Sequence, residues 1–213
     1  MPLGAGGFHL RILNIPLRGL AIRHETVRDW QPRMVANAAL ACLLQACLAD
    51  LDAPGEDPGE PGAAPPAVPL VEALVCLALI DRGVMRPGSR RGQSALRTAR
   101  LSRARRLILA HLQDPALSPA MVAERLGVSV RHLHVLFETM QKSFSQTVTE
   151  ARLEQSRRLL VEAPERLISD IAASCGFESL ATYYRVFNAA YGMAPGDVRA
   201  QRPPAPRAGG PPK

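Results

Sequence analysis

The chain has 213 residues, enough for one ordinary domain and part of a second. It carries 26 Lys and Arg against 19 Asp and Glu, which gives a net charge of +7 and a pI near 9.9. This charge balance is more typical of a protein that binds a polyanion than of an enzyme with an acidic site. Residues 100–213 hold 16 basic and 10 acidic side chains, so the partner is expected to meet the C-terminal half.

The cysteines and the apolar segments restrict the class of protein further. None of Cys42, Cys47, Cys76 and Cys175 forms a Cys-x-x-Cys pair or lies near a histidine at metal-ligand spacing. We therefore expect buried, reduced thiols, no metal site and no cofactor. The N-terminus lacks the basic region and apolar stretch of a signal peptide, and no apolar run of 18 residues free of charge follows. A cytoplasmic protein without membrane contact is expected.

The N-terminal part predicts a strand, two helices and a linker. Residues 8–22 first alternate apolar and polar side chains and then reach a proline, which indicates a strand and a turn. Residues 33–51 and 69–82 have the composition of amphipathic helices. Residues 53–69 contain six prolines and three glycines, so they are expected to form an exposed linker. The two helices are expected to fold into a hairpin over residues 33–84, and this hairpin is expected to support a homodimer because its apolar faces are large.

An arginine-rich stretch follows the hairpin. Residues 86–106 contain eight arginines and no acidic residue, with Pro87, Gly88 and Gly92 at the start. This pattern predicts a connector between domains that runs into a basic helix, and the part before Ser94 is interpreted as a solvated charge run. We expect an N-terminal region over 1–93, a domain over 94–202 and a disordered tail over 203–213.

The most informative segment predicts a helix-turn-helix unit. Ser118 is suited to cap a helix that begins at Pro119, and Gly127 is suited to a left-handed turn after it. Ser129 caps a second helix, and the small Ala123 lets the two helices cross closely. The apolar residues expected between the helices are Val122, Leu126, Val128, Leu133 and Leu136.

The pattern recurs 49 residues later, with a turn that is one residue longer. Ala172, Gly176 and Tyr183 take the places of Ala123, Gly127 and Leu133. Between the two units, residues 143–161 predict one continuous helix of about 28 Å, close to the ~34 Å between successive major-groove faces. This spacing suits two reading helices on one face of a DNA duplex.

With these motifs, residues 101–202 resemble the DNA-binding domain of the AraC/XylS family of bacterial transcriptional regulators. The resemblance implies an all-α fold in which seven helices form tandem helix-turn-helix units joined by a long linker helix, here preceded by a hairpin remnant. It places the helices that follow Ser129 and Ser179 in successive major grooves. The residues that carry it are Ala123, Gly127, Ser129, Leu133, Phe137, Ser143, Phe144, Arg152, Leu153, Ile171, Ala172, Gly176, Phe177, Arg185, Val186, Phe187, Gly192, Met193, Ala194, Pro195 and Arg199.

The resemblance also implies which residues contact bases. These are Val130, Arg131, His134 and Val135 in the first unit and Leu180, Ala181, Tyr184, Arg185 and Asn188 in the second. The sequence departs from the family at three positions: Val135 replaces an arginine, Gln141 a glycine and Val198 an aromatic residue. The first departure weakens base reading by the first unit, because valine can touch a thymine methyl but cannot donate a hydrogen bond.

Several of these residues have a plainer interpretation that stays open. Arg185 can contact a base or phosphate, or form a structural ion pair. His132 can be merely solvated, and it diverges from His134 by about 200°, so the two cannot chelate one metal. The aromatic residues at Tyr183 and Phe187, like the thiol of Cys175, are better explained as core than as base-stacking or redox groups.

We therefore expect a sequence-specific DNA-binding transcriptional regulator and no enzyme, because no nucleophile is supported by an oxyanion pattern. The alternative is a protein-interaction or decoy module of the same fold. The expected partners are double-stranded DNA, a second copy of the chain and RNA polymerase; the effector is not identified.

Family members usually carry an effector-binding β-barrel before this domain. Here only residues 8–22 could be strand, so the barrel is expected to be missing or truncated, as a gene start assigned too far downstream would explain.

Overall fold

The computed structural model describes residues 35, 37–52, 67–114 and 116–200. The predicted strand over 8–22, most of the linker over 53–69 and the tail over 203–213 lie outside these residues. The described residues form nine α-helices and no strand, as the predicted all-α class requires. The helices are α1 (Ala38–Leu51), α2 (Ala67–Asp81), α3 (Arg90–Ala110), α4 (Pro119–Leu126), α5 (Val130–Glu138), α6 (Phe144–Glu162), α7 (Ile168–Ser174), α8 (Leu180–Tyr191) and α9 (Pro195–Ala200).

The predicted helical hairpin is formed by α1 and α2. The amide of Asn37 caps α1, since its Oδ1 accepts from Ala39 N at 2.9 Å, so α1 begins at Ala38 and not at the predicted residue 33. α2 begins at Ala67, two residues before the predicted position. The two helices and the first half of α3 pack around one core, made of Leu43, Cys47, Leu70, Ala73, Leu74, Leu77, Ala95 and Ala99.

Helix α3 begins earlier and does more than the sequence predicted. Ser89 Oγ accepts from Gly92 N at 3.1 Å, so the helix begins at Arg90, before the predicted position. The arginines before Ser94 are all exposed, as the interpretation as a solvated charge run predicts, although Arg90 and Arg91 lie on the helix. The first half of α3 contributes Ala95 and Ala99 to the hairpin core. Its second half contributes buried side chains to the core of the first helix-turn-helix unit. The predicted domain start at residue 94 therefore falls inside a helix that two cores share.

The first helix-turn-helix unit has the predicted local geometry. Ser118 caps α4 with Pro119 as its first residue, and the helix ends at Gly127 with a left-handed φ of +68°. Ser129 then caps α5. The core contains the inward residues Val122, Ala123, Leu133 and Phe137, together with Ala104, Ile108, Leu112, Phe144, Val148 and Ala151 from α3, the turn after it and α6.

The long helix α6 connects the two units. A capping box starts it, because Ser143 Oγ accepts from Gln146 N and Gln146 Oε1 accepts from Ser143 N. Its first half packs into the core of the first unit, and its second half packs into the core of the second unit. That second core comprises Leu153, Leu160, Ile171, Ala172, Cys175, Tyr183 and Phe187. α3 to α9 thus form the seven helices that the family resemblance implied.

Candidate nucleic-acid interface

Helix α5 divides sharply into an inner and an outer face. Ser129 Oγ accepts from His132 N at 3.1 Å and fixes the first turn. Leu133, Leu136 and Phe137 are at most 3% exposed and turn inward. The outer face consists of the four residues predicted to contact bases, all exposed: Val130, Arg131, His134 and Val135.

Helix α8 has the same division in the second unit. Ser179 Oγ accepts from Thr182 N at 3.3 Å and caps the helix. Tyr183 and Phe187 are fully buried, with ring centroids 5.4 Å apart, so the core interpretation of these aromatics is correct. The five predicted residues on this helix are again all exposed: Leu180, Ala181, Tyr184, Arg185 and Asn188.

The two outer faces combine cationic donors with exposed apolar side chains. In the part of the chain that the structure describes, neither Arg131 nor Arg185 forms an ion pair with a carboxylate. Val130, Val135 and Leu180 are 41–46% exposed and lie beside these donors. Donors beside apolar groups match the major groove, which presents acceptors on guanine and a methyl on thymine.

A contact that the sequence did not predict links the turn after α3, in the first unit, to the helix-turn-helix turn of the second unit. Arg152 Nε on α6 donates to the carbonyl oxygen of Leu112, just after α3, at 3.0 Å. Gly176, in the turn of the second unit, lies directly against this pair with φ +86°. Burial lowers the pKa of Arg152, while the carboxylate of Glu178 acts in the opposite direction. This contact positions the second turn against the first unit.

A buried carboxylate holds the end of α8 against α6. Glu154 is 6% exposed and accepts from Arg157 Nε at 3.2 Å and from Arg158 Nε at 3.1 Å. Tyr191 Oη, at the last residue of α8, lies 3.4 Å from Oε2 of the same carboxylate. A buried charge is tolerated when hydrogen bonds satisfy it, so this cluster restrains α8 relative to the linker helix.

The described residues offer no support for thiol or metal chemistry. All four cysteines are free, and burial raises the pKa of both Cys47 and Cys175 to about 11. A reactive thiol needs a lowered pKa, so these two are packed core thiols. No group of three or more His, Cys, Asp or Glu in the described ranges could hold a metal ion. Within the same ranges, no helix is both long and apolar enough to cross a membrane.

Sequence reasoning also missed a pair of basic side chains at the edge of α5. Arg100 Nη1 on α3 lies 3.4 Å from His132 Nε2, across 32 residues of sequence. The arginine-rich composition of residues 86–106 was a signal for such a contact, but composition could not show which arginines face α5. His132 is exposed, as its interpretation as a solvated residue predicts, and it has Arg100 as a side-chain neighbour.

Comparison with known proteins also finds a helix-turn-helix domain in the C-terminal half. Residues 122–201 match a family described as a helix-turn-helix domain. The chain is 25% identical over 190 residues to the transcriptional activator NphR of a Rhodococcus species, covering 89% of this chain and 54% of that relative. It is 32% identical over 92 residues to the melibiose operon regulatory protein of Escherichia coli, covering 43% of this chain and 30% of the relative.

A solved structure is also similar. An AraC-type DNA-binding transcriptional regulator from Chromobacterium violaceum is 30% identical, with a TM-score of 0.47; the match covers 50% of this chain and 95% of that one. The chain spans about half the length of NphR and less of the other curated relatives that it matches.

Proposed function

Because the chain belongs to the AraC/XylS family through its C-terminal domain, we propose that it binds specific duplex DNA sequences and thereby regulates transcription. The observation that carries this proposal is the pair of helices α5 and α8, whose outer faces are exposed while their inner faces fill two cores. The 19 residues of α6 between them span about 28 Å, close to the ~34 Å between successive major-groove faces.

In this mechanism the helix α8 contributes more to DNA recognition than the helix α5. Arg185 on α8 can donate two hydrogen bonds to a guanine, whereas Val135 on α5 can offer a thymine methyl only an apolar contact. The absence of an ion pair at Arg185 within the described residues supports a DNA contact over a structural role. The second unit is therefore proposed to dominate the affinity.

Selection from random duplexes, followed by binding titrations of two variants, tests this function. Arg185→Ala is expected to cost about 1–3 kcal/mol on the selected site and to relax discrimination at one base position. Arg131→Ala is expected to cost less, and Arg86→Ala, in a loop before α3, serves as a control for the loss of one charge. Failure of the full chain to enrich any sequence would contradict specific reading. A larger loss for Arg131→Ala would assign the dominant role to the first unit.

A homodimer and contact with RNA polymerase stay predictions. The dimer was expected because the hairpin has a large apolar face, but α3 covers that face with Ala95 and Ala99. In the described part of the hairpin, Val68 is the large apolar side chain that stays most exposed, at 70%. Sedimentation of the full chain measures the oligomeric state, and transcription in vitro with purified polymerase measures activation or repression.

The competing decoy module is distinguished by the same titrations. A decoy would keep the fold but would bind selected and scrambled duplexes equally weakly.

An enzyme like the DNA-repair methyltransferases that share this domain would need a reactive cysteine near the N-terminus. Cys47 is fully buried and its pKa is raised to about 11, which is the opposite of activation.

A further inference from the structure

A cleft separates the first half of α3 from the edge of α5. Arg97 and Arg100 of α3 line it on one side, and His132 and Val135 of α5 line it on the other. Leu96 and Leu136 supply its apolar lining. The nine residues predicted to contact bases include only one of these, Val135. The cleft is therefore continuous with the reading face of α5 but extends beyond it onto another helix.

The cleft carries uncompensated positive charge. Arg97 and Arg100 pair with no carboxylate in the described ranges, and no acidic residue lines the cleft. Arg100 Nη1 lies 3.4 Å from the ring nitrogen of His132, so it has a nitrogen neighbour in place of a carboxylate. His132 is the third residue of α5; its own N–H is capped by Ser129 Oγ, and the helix dipole adds partial positive charge in this first turn.

Two unpaired guanidinium groups beside a helix N-terminus form a site for an anion that presents several oxygens. A DNA phosphate has this chemistry. When α5 lies in a major groove, a sugar-phosphate strand runs along each edge of that groove, beside the helix that fills it. The donors that Val135 cannot supply to that strand are available from α3.

Resting on the proposed function, we propose that Arg97 and Arg100, together with His132, form a phosphate-binding cleft that grips one DNA strand beside α5. This extends the DNA contact surface from the two reading helices to α3. It gives the first unit a share of the affinity that does not depend on base sequence, which compensates for the valine at position 135. Discrimination between bases then comes mainly from α8.

Salt-dependent titrations of the full chain test the cleft. We expect Arg97→Ala/Arg100→Ala to bind about tenfold or more weakly on selected and scrambled duplexes alike, since phosphate contacts carry no sequence information. The slope of log K against log salt should fall by about 1.8 units, about 0.9 for each phosphate that the variant no longer neutralises. The variant Arg97→Lys/Arg100→Lys should keep most of the salt dependence of binding, because lysine keeps the charge.

The matched control is Arg86→Ala, which removes a charge from the same region of the chain but not from the cleft. Its slope should stay close to that of the unaltered chain. Ethylation interference provides a second readout: phosphates at one edge of the α5 groove should be sensitive with the unaltered chain and insensitive with the double variant. If Arg97→Ala/Arg100→Ala loses helicity by circular dichroism, Arg97→Gln/Arg100→Gln serves in its place, because glutamine keeps part of the aliphatic stem.

The outcomes that overturn the proposal differ from those that overturn the function. An unchanged slope and affinity in a folded double variant, while the unaltered chain still selects a sequence, would refute the cleft alone. A loss confined to the selected duplex would mean a base contact and would refute the phosphate assignment. Normal DNA binding with lost polymerase-dependent transcription would show that the cleft binds a protein. If the unaltered chain binds no duplex, both the function and the cleft fail.

Discussion

The glycine in the second turn offers a sharp test of how the two units are held together. Gly176 and Gly127 occupy equivalent positions, and both have left-handed φ values, +86° and +68°. A methyl group on Gly127 would meet nothing within 4 Å. A methyl group on Gly176 would overlap the carbonyl oxygen of Leu112 and lie 2.8 Å from Arg152 Nε. The same Gly→Ala change therefore meets open space in one turn and the contact between the units in the other.

The expected magnitudes follow from these surroundings. Gly127→Ala should cost about 1–2 kcal/mol, the strain of a left-handed residue with a Cβ atom. Gly176→Ala adds the disruption of the Arg152–Leu112 hydrogen bond, about 1.5–3 kcal/mol for a charged donor, so its total should be about 2.5–5 kcal/mol. Both variants change the entropy of the unfolded chain equally, so this term cancels in the difference.

Urea unfolding followed by circular dichroism measures both free energies of unfolding in the full chain. Arg152→Ala combined with Gly176→Ala closes a mutant cycle and isolates the coupling between the two positions. Equal losses for the two glycine variants, or no coupling in the cycle, would refute the reasoning. Either result would mean that the Leu112 turn shifts freely and does not fix the position of the second unit.

Three further predictions concern stability and are measured by the same unfolding experiment. Gln141 has φ +57°, so Gln141→Gly should stabilise the chain by about 0.5–1 kcal/mol, whereas Ala190→Gly on α8 should cost about 1 kcal/mol. Ser102 is buried and donates to Asp50 Oδ2 at 2.6 Å, so Asp50→Ala should cost about 1–3 kcal/mol, and adding Ser102→Ala should restore part of it. Burial raises the pKa of Cys47 from 9.0 to about 11, so the stability that its neutral thiol contributes is present below pH 9 and is lost as the pH rises through 11. Between pH 9 and 11, Cys47→Ala should therefore lose about 2 kcal/mol less than the unaltered chain.

The helices that the sequence predicted well are those whose ends carry their own signals. Ser118, Gly127 and Ser143 each act on backbone groups within a few residues, so their effect is local and readable from spacing. The position of Gln141 was also predictable, because the resemblance expects a glycine there and the structure has a positive φ. The exposure of the nine candidate DNA-contact residues agrees with their helical spacing, but their contacts with DNA stay predictions.

What the sequence could not reveal is the packing between distant segments. Ala95 and Ala99 pack into the hairpin core, yet two small residues among eight arginines produce no visible apolar stripe. The contact of Arg152 with Leu112 spans 40 residues, and it uses a backbone carbonyl that no side-chain pattern reports. Arg100 and His132 meet only because α3 and α5 cross, which depends on the shape of the assembled core.

The continuity of α3 has a consequence for anyone who builds chimeric regulators from this chain. One uninterrupted helix of 21 residues belongs to the hairpin at one end and to the first unit at the other. Each residue inserted or deleted between Ala99 and Ala104 would turn the hairpin by about 100° about the helix axis and shift it by about 1.5 Å. A hairpin grafted from another regulator must therefore preserve the angular phase of this helix, and changes of about seven residues, two full turns, should be tolerated better than changes of one or two.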